Sequence, residues 1–187
     1  MNYDLISLIV EIVSLIFVFV GGCFALKQWV TTLEYKRNDI VRPLIEDVRS
    51  NVTISTVMDI IDWNEGFYYD GKFHIDKNTS KKHLKDWTDD DLFKNIDETL
   101  SIFSYICYLK KAGSLKSADM HFFEYEIRRL FCNQHICNYL YSLYHWSKKL
   151  EVEMSFSYIV DYALKKKYVD KSFKHVGSPL YKCYLRI

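Results

Sequence analysis

Residues 5–26, LISLIVEIVSLIFVFVGGCFAL, are apolar at nearly every position and carry one charge, Glu11. A segment hydrophobic on all sides has no polar face to turn toward water. As a helix, about 20 such residues match a hydrocarbon core of about 30 Å. The run therefore predicts a transmembrane helix. The pattern stays helical through Gln28 to about Val41. Pro43 predicts its end, because the residue before a proline is pushed out of the helical region. Residues 1–42 read as anchor and stalk, and 43–187 as a separate domain.

The run also has a side. Ser7, Glu11, Ser14, Val18, Gly21, Gly22 and Ala25 recur at three- and four-residue steps. Such steps return to one helix face, so they predict a stripe of small and polar residues among Leu, Ile, Val and Phe. Small side chains let membrane helices approach closely, and polar ones bridge between them. A carboxyl at mid-bilayer normally faces protein or water rather than lipid. Ser7, Glu11, Ser14, Gly21, Gly22 and Ala25 are thus expected to mediate membrane-helix association, with a second copy or with a partner's helix. Trp29 and Tyr35 follow the run, where aromatic rings settle at a membrane interface.

Behind the stalk the apolar period is that of amphipathic helices. Leu44, Ile45, Val48, Val52, Ile54, Val57, Met58 and Ile61 predict two short helices. The break falls at Ser50-Asn51, with Ser50, Asn51 or Thr53 as the cap. The period then changes. Asp70-Gly71, between Tyr69 and Lys72, suits a type I′ turn and predicts a β-hairpin near 67–75. Residues 77–88 read as a polar linker. Thr88, followed by Asp89, Asp90 and Asp91, is a helix start with acids at the positive dipole end. Its helix runs over 92–109 on Phe93, Ile96, Leu100, Phe103, Ile106 and Cys107, and Gly113 suits a left-handed terminator. Ser117 is expected to cap a helix over 118–132, with Phe122, Phe123, Ile127, Leu130 and Phe131 inward. Further helices are expected over 135–150, with Trp146 on the buried face, and over 156–166. Short connections over 89–166 imply an antiparallel bundle. A basic tail, 167–187, closes the chain. The expected fold is mainly α: an N-terminal transmembrane helix with stalk, then a cytoplasmic antiparallel helical bundle carrying a small β-hairpin.

Charge sets the orientation and narrows the partners. Residues 1–4 hold no Lys or Arg, whereas Lys27, Lys36, Arg37, Arg42 and Arg49 follow the apolar run. The positive-inside bias puts the N-terminus outside and the domain in the cytoplasm of an inner (plasma) membrane. The missing basic n-region argues against a cleaved signal peptide. Val20-Gly21-Gly22-Cys23 looks like a lipoprotein box, but mid-run Glu11 and the bulky Phe24 oppose it. A net charge of +1 argues against a nucleic-acid partner, which needs a concentrated positive field. The expected partners are the lipid bilayer, a membrane helix and a cytoplasmic protein. Five cysteines without framework spacing read as thiols in a reducing compartment. The aromatic share of 17% reads as core packing rather than ligand stacking.

Three constellations carry conceivable chemistry. Cys132, His135 and Cys137 are metal-ligand types, but Cys137 leaves the face that the other two share on a continuous helix. His121 and Glu124, with Glu126, Arg128 and Arg129 nearby, suit an acid–base pair or, more simply, a solvated face of ion pairs. Asp59, Asp62 and Glu65 are three apart and suit one helix edge. Phosphate-loop, nucleophile-elbow, zinc-protease and dinucleotide fingerprints are absent. No catalytic residue, cofactor or metal is assigned.

The order of segments resembles a class of small single-span bacterial membrane proteins, including those with a DUF4760-type domain. The resemblance rests on the basic stalk Lys36-Arg37 to Arg42-Pro43, on MDIIDW at 58–63, on the aromatic hairpin, and on IDETLSIFSYICYLKKAGSLKSADMHFFEYEIRRLF at 96–131. It implies a cytoplasmic helical domain behind one span and a place among antiphage defence genes, and it transfers no site residue. The expected function is a non-enzymatic, membrane-anchored interaction or sensor module. One alternative is an oligomerising effector that makes the membrane leak. Another is a membrane-bound hydrolase using the carboxylate and His faces.

Overall fold

The computed structural model describes residues 3–63, 65–76 and 87–174. Most of the expected linker and the tail beyond 174 lie outside the described residues. The chain divides into two compact units, Met1–Pro43 and Leu44–Ile187.

Helix α1 (Tyr3–Ser50) holds the apolar run. Its described residues from Ile6 to Leu26 are all exposed, Phe17 at 72% and Phe19 at 73%. Pro43 does not end this helix, contrary to expectation; it lies inside it. Proline removes one amide donor and crowds the preceding turn, yet its fixed φ is itself helical, so a helix with good flanks continues. Leu44 to Ser50 therefore belong to α1 rather than to a separate short helix. Ser50, Thr31 and Thr32 return hydroxyl hydrogen bonds to the carbonyls of Glu46, Lys27 and Gln28, at 2.7, 2.9 and 2.9 Å.

The last turns of α1, from Leu44, lead the second unit into α2 (Val52–Trp63). Its cap is Asn51, whose Oδ1 accepts from the Ile54 amide at 3.1 Å. Strands β1 (Gly66–Tyr69) and β2 (Lys72–Ile75) pair antiparallel, Tyr69 opposite Lys72. Asp70 and Gly71 turn the chain with φ of 50° and 77°, the pair of positive values a type I′ turn requires. Gly66 lets the hairpin close on the helices. A Cβ there would stand 3.1 Å from the Leu92 side chain and 3.2 Å from that of Ile60.

Helix α3 (Asp89–Lys111) is the centre of this unit, packing on α2, β2 and a later helix, α6 (Ser157–Lys166). A capping box starts it. The Thr88 hydroxyl accepts from the Asp91 amide at 3.1 Å, and the Asp91 carboxylate accepts from the Thr88 amide at 2.9 Å. The Thr88 hydroxyl, which also donates to the Asp91 carboxylate at 2.7 Å, and the Thr88 amide hold the Asp91 carboxyl below its ordinary range. Leu92, Leu100, Phe103 and Ile106 are wholly buried. Gly113 takes the left-handed conformation expected of it, with φ 82°.

Helix α4 (His121–Cys132) begins later than expected, and Ser117 does not cap it. The Ser117 hydroxyl instead accepts from Lys110, and Asp119 organises the turn by accepting from the Lys116 amide at 2.7 Å. This start leaves Phe122 exposed at 52% while Phe123 is buried. Helix α5 (Gln134–Lys149) follows after one residue. Trp146 on α5 is half exposed, not on the buried face, because Ile136, Leu140 and Tyr141 fill it. A 3₁₀ turn, Lys171–Lys174, packs on α5 and buries Phe173.

Candidate functional site

The stripe on α1 keeps the sidedness that helical geometry gives it. Ser7, Glu11, Ser14, Gly21, Gly22 and Ala25 are exposed, as are Trp29 and Tyr35. A Cβ built on Gly21 or Gly22 meets nothing within 4 Å, so the backbone there is open to a close neighbour. The segment is long and apolar enough to cross a membrane. Its polar positions form one face of an otherwise uninterrupted apolar surface.

The constellations considered for catalysis are used to hold elements together. The Arg129 guanidinium grips Asp62 with two bonds, Nε to Oδ1 at 3.1 Å and Nη2 to Oδ2 at 2.5 Å. It also donates to Glu126 and, at 3.4 Å, to the Met58 carbonyl, so it ties α2 to α4. Asp59 is exposed and Glu65 is buried beyond the end of α2, so the three carboxylates do not gather. Glu124 accepts from Tyr168 at 2.8 Å and pairs with Lys166 at 2.5 Å, which fixes α4 to the end of α6. The Lys166 ammonium and Tyr168 hydroxyl hold the Glu124 carboxyl below its ordinary range. His121 lies 3.5 Å from Glu124 with its side chain 76% exposed, the solvated arrangement rather than a shielded acid–base pair.

Cys132, His135 and Cys137 do not converge. Cys132 is exposed, whereas Cys137 is buried and donates its thiol to the Phe131 carbonyl at 3.3 Å. Burial pushes the Cys137 thiol up to about 12, far from a metal-binding thiolate. His135 receives the Tyr68 amide on Nδ1 at 3.2 Å. Among the described residues no group of three His, Cys, Asp or Glu side chains is placed to hold a metal ion. Between these residues, Asn133 caps α5 by accepting from the His135 and Ile136 amides at 2.9 and 3.1 Å. It also donates to the Ile61 carbonyl at 3.2 Å. The Asp89 carboxylate, expected only at the helix start, also reaches the hairpin. It accepts from the Ile75 amide at 2.9 Å and meets His74 at 3.0 Å.

Sequence reasoning missed a groove between α3 and α6. Its larger hollow, about 520 Å³, is lined by Lys110 and Lys111 of α3 and by Tyr158, Asp161, Tyr162, Lys165 and Lys166 of α6. A second hollow, about 350 Å³, lies beside it across Tyr158 and is lined by Ser101, Ser104, Tyr105, Tyr108 and Ser155. The last turns of both helices line the first hollow and earlier turns line the second, so α3 and α6 run in the same direction. Tyr158 meets Tyr108 edge-on at 5.1 Å, and the Lys111 ammonium lies 5.0 Å over the Tyr158 ring. The signal was present as two Lys-Lys pairs, each preceded by tyrosines at helical spacing. Each pair reads alone as a favourable helix end; only the packing puts both pairs in one place.

No family model, curated protein or solved structure matches this chain.

Proposed function

We propose that this chain is a membrane-anchored, non-enzymatic interaction or sensor module. Residues 5–26 of α1 cross the inner membrane with the N-terminus outside. The second unit lies in the cytoplasm as a helical bundle with short connections. The observation that carries this reading is the exposed apolar surface of α1 from Ile6 to Leu26. Keeping such a surface in water costs free energy, and burying it in lipid does not. Lys27, Lys36, Arg37 and Arg42 just beyond it support the orientation. The stripe through Glu11 and Gly21-Gly22 supports association with a like helix or a partner's helix. The resemblance in segment order supports a setting in bacterial antiphage defence.

One experiment tests anchoring and association together. Membranes from expressing cells are washed with alkaline carbonate, and chains bearing Val18→Cys are cross-linked by oxidation. The chain is expected to stay in the membrane fraction and to form dimers. Glu11→Leu and Gly22→Leu are expected to lower the cross-linked fraction several-fold without releasing the chain. Release by carbonate would remove the anchor. Cross-linking unchanged in both variants would remove the stripe.

A second reading is favoured by the carboxyl of Glu11 in the middle of the run. Clustered stripes enclose polar side chains, and a trigger that gathers several copies opens a leak. Dye-reported membrane potential tests this: the wild type depolarises cells on induced clustering and Glu11→Leu does not.

A further inference from the structure

We propose that the groove between α3 and α6 binds a nucleotide, with phosphates on Lys110, Lys111 and Lys165 and the base on the adjoining tyrosines. Four lysines line one hollow, Lys110 also donating to the Leu115 carbonyl at 3.4 Å and the Ser117 hydroxyl at 3.1 Å, and the acids near them are taken: Asp161 pairs with Lys174 at 3.2 Å and Glu124 with Lys166 at 2.5 Å. Among the described residues, no carboxylate pairs with Lys110, Lys111 or Lys165. Helix ends favour cations singly. Convergent, uncompensated ammoniums repel one another and draw in an anion.

The walls narrow the anion's class. Tyr105 and Tyr108 are 53% and 42% exposed, leaving ring surface open beside the second hollow. Aromatic rings stack on any nucleobase, and lysines hold phosphates as point charges. The larger hollow falls within the range of small-molecule sites, about 300–1,000 Å³. A bare phosphate uses only the lysine end. A nucleotide uses both hollows.

This inference deepens the sensing half of the function proposed above by naming a ligand class. Its test reads the groove whether or not α1 spans a bilayer. The full chain in neutral detergent micelles is titrated calorimetrically with ATP, with GTP and with inorganic triphosphate. A nucleoside triphosphate is expected to bind saturably and more tightly than triphosphate. Lys111→Gln with Lys165→Gln is expected to weaken it about tenfold or more, as is raising the salt. Tyr108→Ala is expected to weaken the nucleotide several-fold and leave triphosphate unchanged, with thermal melting verifying that each variant is folded. Absence of ATP and GTP binding at about 1 mM overturns the proposal. So does binding that survives the lysine variant, and so does triphosphate binding as tightly as ATP. Vesicles of phosphatidylglycerol that displace bound ATP through the same lysines would assign the groove to a lipid headgroup instead.

Discussion

Helices α1 and α3 are both rich in large apolar side chains and meet opposite fates. From Ile6 to Leu26, α1 exposes every described residue. Helix α3 buries Leu92, Ile96, Leu100, Phe103, Ile106 and Cys107 along one face and sends Asp90, Lys94, Glu98 and Lys111 to the other. The difference lies in arrangement more than in content. A helix with a polar face can dissolve that face in water and stack the other on a neighbour. A helix apolar nearly all round has no such division, and an apolar medium accommodates it. The small departure from uniformity in α1 is the stripe through Glu11, and under the function proposed above it is what would let the helix associate as well as anchor.

The largest effect separating the two helices is on the stability of the second unit. Phe103 is fully buried in α3, and Phe17 is 72% exposed on α1. Phe103→Ala removes packed volume that the core cannot refill and is expected to cost about 3–5 kcal/mol. Phe17→Ala is expected to leave the unfolding midpoint of that unit unchanged. Urea denaturation of the full chain in micelles, followed by near-ultraviolet circular dichroism, measures both. Equal shifts for the two variants would show that α1 belongs to the same core and would end the distinction.

A smaller effect tests whether the second unit is closed by its own polar contacts. Arg129 joins α2 to α4 through Asp62, Glu126 and the Met58 carbonyl. Arg129→Met keeps the apolar stem and strands two carboxylates. The Asp62 side chain is 45% exposed and relaxes into water, so the expected loss is about 1–2 kcal/mol rather than that of a buried pair. Arg129→Lys is expected to recover only part of it, since an ammonium cannot span both oxygens of Asp62. Identical melting of Arg129→Met and wild type would show that the pair contributes nothing to the stability of the unit.

What was legible in the sequence follows the range of the interaction concerned. The Asp70-Gly71 turn, the Thr88 cap, the Gly113 terminator and most of the apolar face of α3 are decided within a few residues and are where the pattern puts them, whereas on α2 Val52 is exposed and Ile60 takes a buried place. The course of α1 through Pro43 was misread because one local preference was weighed without the helix formers on both sides. Ser117 was misread because its hydroxyl serves Lys110 from the preceding helix, a contact seven residues away. The placement of Asp62 against Arg129 and the union of the two Lys-Lys pairs depend on contacts across tens of residues. No local period encodes them. The spacing of the α1 stripe follows from helical geometry alone, because a single helix carries it whole.

The smallest effect distinguishes the two regions by pH. Burial lowers the pKa of His135, and the Tyr68 amide that donates to Nδ1 is satisfied only while that nitrogen is unprotonated. His145, on the same helix, is lowered by burial as well. A histidine depressed in the folded state binds fewer protons there than in the unfolded chain, so stability rises with pH. The contribution is complete above the ordinary histidine value, about 6.5, and is lost as pH falls from there through the folded value. The second unit is therefore expected to melt at a constant temperature above about pH 7 and progressively lower below about pH 6.5. His135→Gln offers an oxygen to the Tyr68 amide and does not titrate, so it should flatten part of that decline, leaving the part that belongs to His145. The helical signal of α1 should not follow the slope, because the face it presents there carries no histidine. A decline of the same steepness in His135→Gln would place the proton elsewhere and detach the hairpin's hold on α5 from pH.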